Sequence, residues 1–116
     1  MTLQTDITLY GQLDPWPPKH AMAALLRSAG FDVCVGRYSI RLRDCEDFTL
    51  QEYGGDLGDP QFDAGASSLD AMLRDAGRFS AALSGADIRH RLELYADNSD
   101  DMVGYFHHCW PEELVA

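Results

Sequence analysis

The chain is poor in positive charge and in cysteine, and it has no long apolar run. Nine lysines and arginines face nineteen aspartates and glutamates, which leaves a formal net charge of −10 at pH 7. Non-specific attachment to nucleic acid or to an anionic membrane needs positive charge beside phosphate, so neither is expected as a partner. The sequence has no stretch of about 18 apolar residues, so no membrane-spanning helix is expected. Met1 to Tyr10 lacks a basic region followed by a continuous apolar segment, so no secretory signal is expected. Cys34, Cys45 and Cys109 are scattered and odd in number, which excludes a full disulfide framework and fits a reducing, cytoplasmic setting. Also missing are a phosphate loop, a Gly-x-Gly-x-x-Gly turn, a nucleophile elbow and a His-Glu-x-x-His pair. No catalytic residue and no cofactor are therefore expected, and the chain is read as a non-enzyme.

What is present belongs to one globular domain spanning 1–116. Apolar residues make up 46% and charged residues 24%, close to the globular average. A chain of 116 residues can bury one core without staples.

Leu3, Thr5, Ile7, Leu9 and Gly11 alternate with polar neighbours and read as a strand. Three prolines between Asp14 and Pro18 force a turn. Met22, Leu25, Leu26 and Ala29 recur at helical spacing, and Gly30 is a natural stop, so a helix is placed at 18–29. Phe31, Val33 and Val35 form a strand, as do Tyr38, Ile40 and Leu42, and a further strand runs from Phe48 to about Tyr53. Residues 54–66 contain four glycines and a proline and read as a long loop.

Ser67 or Ser68 caps a second helix, with apolar stripe Leu69, Met72, Leu73, Ala76, Phe79 and Leu83, closed by Gly85. Ile88, Leu92, Leu94 and Ala96 line one face of a strand. Asp97 to Asp101 is a polar turn, and Met102 to Trp110 completes a hairpin. The expected fold is α+β: an antiparallel sheet with two helices packed on one face, a ferredoxin-like plait or a variant of it.

Five constellations carry possible chemistry. His107, His108 and Cys109, with His90 and His20 elsewhere, offer zinc-type ligands, and strand alternation puts His107 and Cys109 on one face. No paired spacing closes a four-ligand site, so no metal is expected and packing or surface roles are preferred. The cysteines lack an activating setting, and Cys45 lies between Asp44 and Glu46-Asp47, which raises rather than lowers a thiol pKa.

Between residues 44 and 63 there are seven acids and no base. The spacing does not match a calcium loop, leaving a solvated acidic loop or a docking surface for a basic partner. Arg37, Arg41 and Arg43 on one strand, and Arg89 and Arg91 on another, share the outward phase with Tyr10 and Tyr95. Cross-strand pairing with Glu93, Asp6 or Glu52 is preferred to an RNA platform, given the charge. Trp16 and Trp110 each abut proline at an element boundary, where tryptophan either caps a core or anchors a partner.

In size, charge and strand layout the chain resembles the small acidic immunity proteins that accompany bacterial polymorphic and contact-dependent toxins. The closing hairpin, Leu92 to Asp97 through Val103 to Phe106, and the acidic stretch 44–63 carry the likeness. The resemblance implies a cytoplasmic one-to-one inhibitor that covers a toxin's active site, the toxin being a basic protein such as a nuclease. The partner-binding residues expected on that reading are Asp56, Asp59, Asp63, Asp100 and Asp101 for steering, with Trp16, Tyr53, Phe62 and Trp110 as anchors. Two other classes remain open: a small metal- or metabolite-binding enzyme subunit using His90, His107 and Cys109, and a regulatory or structural homodimer joined through a sheet edge or open face.

Overall fold

The computed structural model describes residues 6–51, 53, 60–96 and 100–110. Strand β1 (Ile7–Asp14) is followed by helix α1 (Lys19–Ser28), then β2 (Val33–Val35), β3 (Ser39–Leu42), β4 (Asp47–Gln51) and β5 (Gln61–Ala66). Helix α2 (Leu69–Gly85) leads into the hairpin of β6 (Arg89–Ala96) and β7 (Met102–His108). The strands form one seven-stranded sheet in the order β2-β3-β4-β5-β1-β6-β7. Every neighbouring pair is antiparallel. The fold is α+β as expected, but the sheet is larger than a ferredoxin-like plait.

Six of the seven strands lie where the sequence pattern puts them, and the seventh, β5, corrects the reading of 54–66 as a loop. Residues 54–59 lie outside the described residues, whereas Gln61–Ala66 is a strand paired on both edges, to β4 and to β1. Ala64 and Ala66 point into the core, and Gly65 faces Thr8 and Asp47 across the two ladders. A Cβ on Gly65 would lie 3.3 Å from the carbonyl oxygen of Ile7. Hydrogen bonding on both sides overrides the poor strand propensity of alanine and glycine. Because β6 also pairs with β1, the unit β5-α2-β6 is a split β-α-β with β1 inserted between its strands.

The strands form because their apolar residues alternate, as in Ile7, Leu9 and Leu13 of β1 or Leu92 and Leu94 of β6. These residues join Met22, Ala23 and Leu26 of α1, and Met72, Ala76, Phe79 and Leu83 of α2, in one core. Phe79 is its hub, with ring centroids 4.9 Å from Phe48 and 5.6 Å from Phe62. Leu73, placed on the core stripe by its spacing, is instead 37% exposed.

Both helices end in the same way. After α1, Gly30 at φ 95° allows Phe31 N to donate to Leu26 O and Gly30 N to Arg27 O. This pair of bonds is a Schellman cap with glycine in the left-handed position. After α2, Ile88 N donates to Leu83 O and Asp87 N to Ser84 O, so the left-handed position falls on Asp87, at φ 57°. Gly85, expected to close the helix, is its last residue. At the other end of α2, Ser68 is the N-cap and accepts from Ala71 N.

Candidate functional site: the open face of the sheet

Strand alternation that buries one face of the sheet leaves the other exposed or half-buried. Its most prominent group is aromatic. Tyr10 of β1 is 60% exposed and meets Tyr95 of β6 edge-on, centroids 5.7 Å apart. The Tyr95 hydroxyl donates to Glu93 Oε1 at 3.0 Å, and that bond to a carboxylate raises the phenol's pKa. In the next rank Arg91 donates to Gln12 Oε1 at 3.1 Å and lies 3.7 Å from Glu93, with its guanidinium over the Trp110 ring at 5.2 Å. On β7, Tyr105 and His107 stack at 5.0 Å. The register places Tyr105 opposite Glu93 and His107 opposite Arg91, so the aromatic row continues across the hairpin.

Beside this row is an acidic groove of about 360 Å³, lined among others by Asp6, Tyr10, Glu46, Asp47 and Asp63. Partial desolvation, reinforced by Asp63, pushes the Asp47 carboxyl above its ordinary range, while Arg41 opposes that shift. Asp63 accepts from the Gln51 side chain at 2.8 Å, and Glu46 accepts from Ser67 N at 2.9 Å. The other end of the acidic stretch is neutralised, with Asp44 paired to Arg78 at 3.1 Å.

The expected site residues therefore separate. Asp63 lies in the groove and Trp110 beside the aromatic row. Asp100 and Asp101 are exposed at the β6–β7 turn. Asp56 and Asp59 lie outside the described residues. Tyr53 is 3% exposed, and its hydroxyl donates to Pro17 O, so it is a core residue and offers no anchor surface. Trp16 packs edge-on against Tyr53 at 5.9 Å and tilts against Phe62 at 5.6 Å, closing the core over the β1–α1 turn. Phe62 in turn is packed against Phe48 and Phe79, which makes it part of that same cluster. Tyr10 and Tyr95 were visible in the sequence as outward residues, but their mutual contact depends on the β1–β6 register. The arginines are largely paired: Arg89 with Asp14 at 2.9 Å, Arg43 with Asp32 at 2.9 Å.

His90 shares the inward phase of Leu92 and Leu94, and it is Cys109 that departs from strand alternation. His90 is fully buried, held between Ser80 and the Ile88 carbonyl. Cys109 has φ 54°, which breaks the strand alternation after His108. As a result Cys109 lies with His108 and not with His107, and Asp87 completes a group whose ligand atoms all fall within 4.8 Å of one another. Cys45 is buried beside Asp75 and Asp44, and burial with those charges pushes its thiol up to about 12.

No helix among the described residues is long and apolar enough to cross a membrane. Comparison with protein-family models, with curated proteins and with solved structures gives no match.

Proposed function

We propose that the chain is a one-to-one protein inhibitor, of the toxin-neutralising kind, that sets its open sheet face against a basic partner and covers that partner's active site. The observation that carries this reading is the exposed Tyr10, paired with the half-buried Tyr95, lining the acidic groove of Asp6, Glu46, Asp47 and Asp63. Interfaces of this kind draw affinity from a few aromatic or arginine anchors and draw encounter rate from surrounding charge. Tyrosine contributes large area for little rotamer entropy, and Arg91 stacked on Trp110 adds a preorganised cation. The reading takes both helices to cover the opposite, buried face, which leaves this face for the partner. It requires no catalytic group, and a reducing cytoplasm suits its unpaired cysteines.

The test is capture by the tagged chain from its native cells at low salt. The expected result is one basic protein in 1:1 ratio, toxic when expressed alone, displaced by high salt and not captured by the double variant Tyr10→Ala, Tyr95→Ala. A partner captured equally well by that variant would overturn the assignment of the face. A captured protein that is harmless alone would overturn the toxin-neutralising role.

A further inference from the structure

We propose that Asp87, His108 and Cys109 form a zinc-class divalent metal site at the corner where α2 ends and β7 stops. The histidines and Cys109 are zinc-type ligands by residue type, but no paired spacing closes a site, and Asp87 lies 21 residues before His108 in the chain. The fold brings them together. His108 Nε2 lies 2.9 Å from Asp87 Oδ1 and 3.7 Å from Cys109 Sγ. Tetrahedral zinc holds nitrogen and oxygen ligands about 3.3 Å apart and nitrogen and sulfur about 3.6 Å apart. The sulfur is already at that distance from His108, the carboxylate stands a few tenths of an ångström too close to it, and all three ligand atoms lie within 4.8 Å of one another.

The local backbone argues the same way. Asp87 occupies the left-handed cap position that glycine fills after α1. Its carboxylate also sits at the negative end of the α2 dipole, where a cation is favoured and an anion is not. For a cap alone a carboxylate at this end of the helix is unfavourable, whereas a bound cation makes its position favourable. Cys109 is the other described non-glycine residue at positive φ, and that conformation is what turns its sulfur toward His108. Behind the site, the buried His90 ring stacks on His108 at 6.1 Å, itself fixed by Ser80 and Ile88. Side-chain exposure of 89% at Asp87 and 27% at His108 leaves the fourth coordination position open to water or to an outside ligand. On binding, the thiol releases its proton to solvent as sulfur takes the metal.

The metal-free chain is titrated with Zn(II) against a chromophoric chelator, and with Co(II) by absorption. The expected result is one equivalent bound, with a thiolate-to-cobalt charge-transfer band in the near ultraviolet. Cys109→Ser abolishes the band, and His108→Ala weakens Zn(II) binding at least about tenfold, the loss that even an outer-sphere partner produces. Asp87→Asn weakens it too, and asparagine tolerates the left-handed backbone, so the fold is kept. Cys34→Ser and His107→Ala bind as the parent does. Absence of saturable binding, persistence of the band in Cys109→Ser, or equal loss in Cys34→Ser would each overturn the site. None of these readouts involves a protein partner, so they stand or fall apart from the inhibitor reading.

Discussion

Ser80 on α2 and His90 on β6 meet inside the core, Oγ to Nε2 at 2.7 Å. His90 Nδ1 lies 2.8 Å from the Ile88 carbonyl, which can only accept, so Nδ1 carries the proton and Ser80 donates to Nε2. Burial favours the neutral ring and holds His90 below its ordinary pKa, against the Ile88 hydrogen bond, which acts the other way. Above the unfolded value of about 6.5 the ring is neutral in both states, and the fold has its full stability. As pH falls from there toward the depressed folded value, the unfolded chain takes up the proton first and stability is lost. The melting temperature is expected to drop between pH 7.5 and 5.5 by more in the parent than in His90→Gln. Parallel curves would sink this account. Ser80→Ala, which strands Nε2, is expected to cost about 1–3 kcal/mol in urea unfolding.

Gly11 occupies an inward position of β1 where a Cβ would lie 2.6 Å from Phe62 Cε2 and 2.8 Å from Leu92 Cδ2. The aromatic cluster of Phe48, Phe62 and Phe79 has grown into the space a side chain would fill. Gly11→Ala therefore overpacks the core and is expected to cost about 1–3 kcal/mol. The cost falls on the Phe62 ring, so in a Phe62→Leu background the same substitution is expected to cost less. A double-mutant cycle should give a coupling of at least about 0.5 kcal/mol. Strict additivity would place the strain in the backbone instead.

The three cysteines are expected to separate in reactivity. Cys34 and Cys109 are exposed and Cys45 is buried among carboxylates, with its thiol pushed up to about 12. A thiolate is the reactive form, so Cys45 is protected both by access and by charge. A disulfide reagent at pH 8 should label two thiols rapidly in the metal-free native chain and the third only on unfolding. Rapid labelling of Cys45 would show that the loop between β3 and β4 opens readily.

Much of the architecture can be read from alternation and punctuation. Leu92 and Leu94 against Arg91, Glu93 and Tyr95 mark β6, and the placement of α1 at 18–29 differs by one residue at each end from Lys19–Ser28. What fails is informative. β5 was missed because Ala64, Gly65 and Ala66 have no strand signature, and their conformation is imposed by Ile7, Thr8 and Leu9 from the far end of the chain. The cysteine-histidine corner was misassigned because alternation assumes an unbroken strand, and the turn at Cys109 is visible only in its φ. Tyr53 and Trp16 border stretches rich in proline and glycine, where the sequence leaves a partner anchor and a core cap both open for Trp16, and the structure packs the two rings edge-on against the core. The outward phase of Tyr10 and Tyr95 was legible; that they touch was not.

The open face should divide its work between charge and aromatic contact, and the two can be separated kinetically. Asp47 and Asp63 are exposed groove residues, and replacing both by lysine moves the formal charge from −10 to −6 (two changes of +2 each). Glu46 is left in place because it accepts from Ser67 N at the start of α2. With the captured basic partner, Asp47→Lys with Asp63→Lys is expected to slow association by about tenfold or more at low salt and to flatten its salt dependence. Tyr10→Ala buries nothing new and leaves the field intact, so it is expected to act on dissociation instead. Its effect on folding should stay within about 0.5 kcal/mol, as for an exposed side chain. If the charge reversal leaves the association rate and its salt dependence unchanged, the groove does not steer. If Tyr10→Ala leaves dissociation unchanged, the aromatic row is not the anchor, and the partner lies on another surface.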